Sequence, residues 1–521
     1  MKLKYNSLII SLLFGVIGTI WAISSPIGSS ADDDFHLTSI FCANNSKQCL
    51  ESASPDQVLI ERIIGEFPPC YVGFPAGEPG IDRNYSKSSG ECLKDTPKEF
   101  IETGRFNQNG SYPNTYYKLS ASFVTNNTVF TVYFLRILNV GIASFLILLL
   151  LNVASNQIVY PFTRMLLTAI YPVGIFFIAS NNPSSWMITG LITNWAFLAA
   201  TIINLKTKQS KLAIGGSIVG YLISGLLTAF SRFDSIYYLL ILNACIFILF
   251  VDKKITRKNF ISILPLIFIV ICISVAMFFQ NSGFSRVLYS LVSKNYTYIP
   301  ASISSGQPNS IVNTLLELPS YILAIFGGQR PYWTQFSGEL PWEYAYGVGW
   351  LEFNFPSIVS ILLLLSMVLI FANSLNAYTK KNIVVLLLIF LSIVTYIIGW
   401  RLIKAYGPWY YFQPRYLAGF IIASYGILLT TFKIKFLGKI TSTLILLSAA
   451  TASIVSWAAI SARYSLGPNY AISNFWENDS WLAIDFFTRP KLFLFIIILT
   501  LILNYRILQI NTKFLEDNKP L

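Results

Sequence analysis

The chain has 521 residues, of which 54% are hydrophobic and 12% are charged, and its formal net charge is +13. A soluble domain of this size could not bury so much apolar surface in a single core. Repeated apolar runs of about 20 residues between short polar gaps are typical of an all-α polytopic membrane protein. The positive charge is expected in cytoplasmic loops. No nucleic-acid partner is expected, because the chain has no soluble basic domain to bind one.

An apolar run near the amino terminus predicts the first transmembrane helix. Lys2 and Lys4 precede the run Leu8 to Ile23, which favours a cytoplasmic amino terminus and a signal-anchor helix. Cleavage near Ser24-Ser25-Pro26 is the alternative, but the run is long for a signal peptide and the tripeptide is a poor cleavage site.

Short basic gaps fix the predicted orientation of the other helices, because lysine and arginine collect in cytoplasmic loops. These gaps are 206–211, 252–258, 380–381 and 433–439. Placing all of them in the cytoplasm predicts spans at 130–151, 162–180, 185–204, 212–230, 236–251, 260–279, 354–373, 383–400, 416–432, 440–460 and 491–509. With the first helix, the chain then crosses about 12 times, and both termini are cytoplasmic.

One apolar segment does not fit this scheme. A crossing at 310–326 would move Lys380 and Lys381 to the outside, and the segment carries Glu317 and Pro319 near its centre. We expect a re-entrant or interfacial helix there, and a thirteenth crossing is the alternative.

The predicted topology of this cell-membrane protein divides the chain into five regions. They are the signal anchor 1–24, an extracytoplasmic loop 25–129, a transmembrane bundle 130–279, a second extracytoplasmic loop 280–353 and a C-terminal bundle 354–521. Within the last region, 461–490 also lies outside.

Four cysteines are confined to the first extracytoplasmic loop, while the other two fall inside predicted helices. The four are Cys42, Cys49, Cys70 and Cys92. An even number in one outside loop indicates disulfides, which persist in an oxidising compartment. Of the three pairings, Cys42–Cys49 with Cys70–Cys92 is the most local. Free thiols in a reducing compartment are the alternative.

The sequence ADDDFHL at 31–37 places three consecutive carboxylates and the only histidine of the chain just after the first helix. A helix start with Ser30 as N-cap accounts for one or two of these acids. It does not account for three. In a helix, Asp32 and Asp33 would share a face with His36, and a carboxylate oriented by a histidine is a candidate general base or metal ligand. These three residues are therefore candidate catalytic residues.

Several cations lie close to the membrane on the predicted outside, against the positive-inside trend. They are Arg330, Arg401, Lys404 and Arg415. A guanidinium is the group best suited to hold a phosphate with paired donors. Arg136 lies about two turns inside the second predicted helix, where an ionisable group is costly and usually functional. A lipid phosphate is the expected ligand, and snorkelling to bulk phospholipid is the alternative.

Acids beside phosphate-binding cations, above a hydrophobic bundle, suit transfer of a sugar from a polyprenyl-phosphate carrier. One carboxylate would take the proton of an acceptor hydroxyl, and cations would stabilise the departing phosphate. A glycosidase would need two carboxylates flanking one bond, a role that the adjacent Asp32 and Asp33 fit poorly.

Three motifs resemble those of a bacterial multi-pass membrane-protein family that is catalogued as a domain of unknown function and placed near the GT-C glycosyltransferases. The family's Pro-Asp-Glu-x-x-His appears as Ala31-Asp32-Asp33-Asp34-Phe35-His36. Its Gly-Trp-Leu-Asp, followed by proline, appears as Gly349-Trp350-Leu351-Glu352 with Pro356. Its Gln-Gly-Arg-Tyr appears as Gln413-Pro414-Arg415-Tyr416. The order and the predicted side of the motifs agree over nearly the whole chain, while the departures at Ala31, Glu352 and Pro414 affect fine geometry.

The resemblance implies a GT-C-like bundle with a catalytic acid in the first outside loop and a lipid-phosphate donor site. Asp32 and Asp33 would be base or acceptor-orienting acids, with His36 as their partner. Arg415 and Gln413 would hold the donor phosphate. Glu352 would be a second acid, and Trp350 and Tyr416 belong to the substrate site with their motifs. No cofactor is required, although a divalent metal between Asp33 and Glu352 is compatible with the family.

The expected partners are a polyprenyl-phosphate-linked sugar donor, a saccharide, lipid or protein acceptor, and membrane lipid. A transporter or flippase of lipid-linked sugars is the main competing class; it would typically show two similar halves, and no internal repeat is evident. A polysaccharide polymerase or ligase is a nearer rival. A purely structural membrane protein is the remaining alternative.

The predicted topology is tested with single cysteines and a membrane-impermeant thiol reagent in intact cells. Cysteines introduced at Lys254 and Lys435 should be shielded, because both positions lie in basic gaps assigned to the cytoplasm. A cysteine at Ser337 should react. Reaction at Lys435 would overturn the scheme.

Overall fold

The computed structural model describes residues 2–30, 32–44, 46–54, 56–66, 89–110, 112–168, 172–251, 355–374, 379–404, 414–431, 439–466 and 489–517. Within these ranges, seven helices are long and apolar enough to cross a membrane. Shorter apolar helices lie beside them. The prediction of a helical multi-pass membrane protein is confirmed.

The first helix, α1 (Lys2–Ile23), packs along α5 (Thr128–Val153). A Cβ at Gly18 would lie only 2.7 Å from a methyl carbon of Val140, so the glycine is needed for the close approach of the two helices. Small residues at such contacts are typical of helix packing in membranes. The predicted first span and the predicted span at 130–151 are both present.

The prediction of one continuous helix at 162–180 is wrong. The structure has two short helices in its place, α6 (Asn156–Thr168) and α7 (Val173–Ile178). Pro161 lies inside α6, and Pro172 is the N-cap of α7. Proline lacks an amide donor and disfavours helix in the residue before it, so an interruption at Pro172 follows from the chemistry of the chain.

A fully buried helix, α8 (Ser184–Lys206), lies at the centre of the bundle and packs against α9 (Lys211–Ala229). A Cβ at Gly190 would come within 2.2 Å of the Thr228 hydroxyl, and one at Gly220 within 2.2 Å of the Phe197 ring. The two backbones therefore approach closely because glycine occupies both positions.

The remaining helices follow the predicted spans with shifted ends. They are α10 (Asp234–Phe250), α11 (Ser357–Ser374), α12 (Lys380–Lys404), α13 (Ala418–Thr431), α14 (Lys439–Leu466) and α15 (Arg489–Asp517). A 3₁₀ turn, Pro414–Leu417, leads into α13. The predictions for 260–279 and 310–326 lie outside the described residues.

The polar segment between α1 and α5 contains a small sheet that the sequence analysis did not predict. Its antiparallel strands are β1 (Cys49–Glu51), β2 (Val58–Glu61) and β3 (Phe100–Thr103), in that order. Helices α2 (Asp33–Cys42) and α3 (Arg62–Gly65) pack against it, and α4 (Asn114–Ala121) packs against α2. The segment also has 3₁₀ turns at Gly90–Asp95 and Asn107–Asn109. A small core that includes Leu37 and Ile60 joins sheet, helices and the start of α5.

Contacts between helix ends separate the two faces of the bundle. At one face, Lys206 Nζ donates to the carbonyl of Phe250, Lys381 Nζ donates to the carbonyl of Val251 at 3.1 Å, and Asn382 donates to Thr431. The segment between α1 and α5 lies at the other. The short basic gaps at 206–211 and 380–381 therefore share a face opposite the acidic motif, as the topology requires.

A disulfide joins Cys42, at the end of α2, to Cys49, at the start of β1. The expectation of a disulfide in this segment is confirmed, and the bridge belongs to the most local of the three pairings considered. Cys92 is also disulfide-bonded, while Cys70 lies outside the described residues. Cys245 is a buried free thiol in α10, so cysteine pairing in the described part of the chain is confined to the polar segment.

The Cys42–Cys49 bridge should stabilise the acidic segment by restricting the unfolded chain, by about 2–3 kcal/mol for a loop of this length. We expect Cys42→Ser, Cys49→Ser and the double variant to lower the thermal unfolding midpoint equally, because each removes the same bond. Additive losses would show that the thiols act separately and would contradict the bridge.

Candidate functional site

Helix α2 begins at Asp33, with Asp32 rather than Ser30 at the N-cap position. The alternative interpretation, in which Ser30 is the N-cap, is therefore wrong in its cap residue. Asp32 adopts a left-handed backbone conformation, with φ of 57° and ψ of 26°, and its side chain makes no capping hydrogen bond. Such a conformation is uncommon outside glycine, costs free energy and concentrates at functional sites.

Asp33 points into the protein and pairs with Arg136 of α5. The two side chains are almost completely buried, and Arg136 Nη2 lies 3.1 Å from Asp33 Oδ2. The guanidinium also donates to the carbonyls of Ser25 at 2.5 Å, Pro26 at 2.9 Å and Ala22 at 3.3 Å. Since the last carbonyls of a helix have no partner within it, Arg136 binds the end of α1 and the start of α2 at once.

These contacts change the interpretation of Arg136, which was predicted to bind a lipid phosphate. Its terminal nitrogens are directed at protein carbonyls and at Asp33. We therefore regard Arg136 as a residue that holds the acidic motif in place.

Burial raises the pKa of Asp33 from 3.8 to about 6, and the neighbouring Arg136 offsets part of this increase. Asp33 Oδ1 and the Ser30 hydroxyl are buried and have no hydrogen-bond partner among the described residues. A buried carboxylate normally has hydrogen bonds to both oxygens, so Oδ1 of Asp33 is unusual for the interior of a protein.

The other two acids share Arg105, which follows β3. Arg105 Nε lies 2.5 Å from Asp34 Oδ2, and Nη2 lies 3.2 Å from Asp32 Oδ1. Asp34 is buried, which raises its pKa against the opposing effect of Arg105. The side chain of Asp32 is 40% exposed. Of the three consecutive acids, Asp32 is the one that a solvent-borne substrate can reach.

His36 is buried beneath the acids, between two tyrosines. Its Nδ1 lies 2.9 Å from the hydroxyl of Tyr117 in α4, and its ring meets that of Tyr112 edge-on, with centroids 5.1 Å apart. Burial raises the pKa of Tyr117 well above its ordinary value. The tyrosine therefore stays protonated, and its hydroxyl holds the imidazole by a hydrogen bond.

Sequence reasoning missed a second, largely buried ion pair, at the start of α10. Arg232 donates to both oxygens of Asp234, at 2.9 and 3.0 Å, and Tyr396 of α12 donates to Asp234 at 2.7 Å. The guanidinium carbon of Arg232 lies 4.3 Å from the ring centre of Tyr416 and 5.7 Å from that of Tyr112. An arginine and an aspartate two residues apart in a gap between spans were the available signal.

Tyr112 and Arg232 together join two of the sequence motifs. The contacts run from His36 of the acidic motif through Tyr112 and Arg232 to Tyr416 of the third motif. The motifs are about 380 residues apart in the chain, yet they meet at one end of the bundle. A single site formed from both is thus compatible with the geometry.

Several predicted site residues remain untested. Arg330, Trp350, Glu352 and Gln413 lie outside the described residues. Arg401 and Lys404 fall in the last turn of α12, and Arg415 in the 3₁₀ turn before α13. Only the backbone of these three residues is described, and the predictions about their side chains stay predictions.

A metal site is not evident among the residues that the structure describes, because no group of three histidine, cysteine or acidic side chains is close enough to hold an ion. Asp33, the predicted ligand, already faces the cation Arg136, which would repel a divalent ion. Among the described residues, therefore, none forms a metal site, while Glu352, the other predicted ligand, lies outside them.

The raised pKa of Asp33 gives a signed prediction about stability. The folded protein binds this proton more tightly than the unfolded chain, since the pKa moves from 3.8 to about 6. The resulting stability is fully present below pH 4 and is lost as the pH rises through 6. We expect the wild type to gain thermal stability relative to Asp33→Asn as the pH falls from 7 to 4, by at most about 3 kcal/mol.

Other titrating groups are common to the two proteins in that comparison, so their direct contributions cancel. A wild type that instead loses stability relative to Asp33→Asn on acidification would mean that Arg136 outweighs burial and lowers the pKa of Asp33.

Comparison with known proteins supports the membrane assignment. A family model described as Predicted membrane protein (DUF2142) matches residues 13–423, well over half of the chain. No curated protein and no solved structure gives a significant match. On the family match, and in agreement with the seven membrane-length helices, the chain belongs to the DUF2142 family of membrane proteins.

Proposed function

We propose that this chain is a GT-C-type glycosyltransferase that moves a sugar from a polyprenyl-phosphate donor to an extracytoplasmic acceptor, such as a cell-envelope glycan or glycolipid. The observation that carries the proposal is the meeting of the acidic motif and the third motif through Tyr112 and Arg232. One site would then contain both an acceptor base and a phosphate-binding segment.

Asp32 is the proposed base. It is partly exposed, has a left-handed backbone conformation, and is oriented by Arg105. It would take the proton of an acceptor hydroxyl as that oxygen bonds to the anomeric carbon. The bond from this carbon to the phosphate oxygen would break, and the phosphate would leave with the electron pair. Phosphate leaves without an acid, so one base suffices.

The role that we propose for Asp33 differs from the catalytic role predicted from the sequence. Its carboxylate is committed to Arg136, and Asp34 is committed to Arg105. We assign both acids, with His36, to positioning. Arg136, Asp34 and the His36–Tyr117 pair then fix the segment on which Asp32 is carried.

The donor phosphate is proposed to bind Arg415, with Gln413, Arg401 and Lys404 as further donors. Arg415 lies in the same 3₁₀ turn as Tyr416, which contacts Arg232. Arginine can hold a phosphate with two parallel hydrogen bonds. The positive-inside rule supports an extracytoplasmic site and cytoplasmic termini, because the lysines at 206–211 and 380–381 lie at the opposite face.

A transporter or flippase of lipid-linked saccharides is the second candidate. Arg164 of α6 is buried inside the bundle, its guanidinium carbon 3.9 Å from the ring centre of Tyr160. Short, interrupted helices carrying an ionisable group are typical of transporter binding sites. A polymerase or ligase would use the proposed transferase site with a larger donor.

The proposal is tested with purified full-length protein in proteoliposomes, using undecaprenyl phosphate carrying radiolabelled hexoses or pentoses and an envelope extract as acceptor. Asp32→Asn should lower transfer by about 10²–10⁴-fold, the usual effect of removing a positioned base. Asp56→Asn, which removes an exposed carboxylate elsewhere in the same segment, is the matched control and should retain activity.

A wild-type rate of sugar transfer by Asp32→Asn would show that Asp32 is not the base. If the intact donor moves between leaflets and no combination of donor sugar and acceptor gives transfer, the flippase would be favoured instead.

A further inference from the structure

An apolar surface is exposed where α4 turns into α5. We call it the α4–α5 corner and define it by Leu119, Phe123, Phe130 and Phe134, whose exposed fractions are 51%, 44%, 56% and 36%. Single exposed apolar residues are ordinary on protein surfaces. Four exposed apolar residues in this short stretch, with three phenylalanine rings in contact, indicate an interaction with another apolar phase or surface.

Ring contacts connect the three phenylalanines of the corner, and Leu119 lies four residues before Phe123. Phe134 stacks against Phe130 with centroids 5.7 Å apart, and its centroid lies 6.0 Å from that of Phe123. Phe130 and Phe134 occupy the first two turns of α5, a helix long and apolar enough to span the membrane. Ile137 and Phe145 continue the exposed apolar face further along α5.

The opposite face of α4 belongs to the site already described. Tyr116 and Tyr117 are buried, and Tyr117 holds His36. Lys118 and Leu119, the next residues, are exposed. This eight-residue helix therefore has one face against the acidic motif and another that continues the exposed apolar face of α5.

We infer that the α4–α5 corner is immersed in the interfacial layer of the lipid bilayer. Leu119 and Phe123 lie before α5 begins, so immersion extends the lipid contact beyond the spanning helix onto the polar segment. Phenylalanine and leucine fit the boundary between headgroups and acyl chains, and the Lys118 ammonium can reach the phosphates above it. The acidic motif, one helix thickness away, is thereby held at the level of the lipid headgroups.

This inference does not depend on the proposed glycosyltransferase activity. It would hold equally for a transporter, because it concerns where the polar segment meets lipid. Hydropathy alone classes the residues before α5 as a loop, whereas their apolar surface is here placed in contact with lipid, at the depth of the interfacial layer.

Nitroxide labels measure the depth directly. Leu119→Cys and Phe123→Cys, each in a Cys245→Ala and Cys272→Ala background that keeps the disulfides, are labelled and reconstituted as full-length protein into phosphatidylcholine–phosphatidylglycerol vesicles. Leu50→Cys is the matched control, since Leu50 is 47% exposed but lies on β1. Power saturation with oxygen and with a water-soluble nickel complex then compares lipid and water exposure.

We expect the ratio of oxygen to nickel accessibility at positions 119 and 123 to exceed that at position 50 several-fold. Equal ratios at the three positions would overturn the inference. Each variant is accepted as folded when its elution is monodisperse and the Cys42–Cys49 bridge is intact. The two corner positions are measured separately, so either one decides the result if the other variant does not fold.

Discussion

The buried ion pair between Arg136 and Asp33 is the interaction on which the arrangement of the acidic segment depends. Two charges removed from water are costly, and they are retained only where good geometry and further hydrogen bonds compensate them. Arg136 has both, because it also binds carbonyls at and beyond the end of α1. Removing one partner of such a pair typically costs about 3–5 kcal/mol. The pair therefore joins α1, α2 and α5, and it sets where the polar segment begins.

The position of Asp32 follows from this constraint. With Asp33 directed inward to Arg136 and Asp34 held by Arg105, the chain turns into α2 through a left-handed residue, and Asp32 is left facing outward. His36, one turn later, meets Tyr117 and Tyr112 on its buried side. The same tyrosines lead to Arg232 in one direction and to the lipid-facing α4–α5 corner in the other. A reactive group at the headgroup level would need this combination of a fixed acid, a neighbouring phosphate site and a defined depth.

Hydropathy and charge predicted most helices because apolar length and lysine placement are local properties of the sequence. They failed at 156–178, where proline chemistry divides the segment, and at the sheet, whose three- and four-residue strands are too short to show alternation. The acidic motif was recognised from composition, but the different roles of Asp32 and Asp33 depend on which way each side chain points. Arg136 pairs with Asp33, more than 100 residues earlier in the chain. Arg232 contacts the ring of Tyr416, from a distant part of the chain. No local sequence pattern reveals such contacts.

The central claim, that the acidic motif and the third motif form one lipid-phosphate site, is tested most directly by an experimental structure of the full-length protein with undecaprenyl phosphate in a lipid nanodisc. The account predicts phosphate density in contact with Arg415, close to Tyr416 and on the side of the bundle that carries Asp32. Density for the phosphate at Arg164, inside the bundle and away from both motifs, would contradict it.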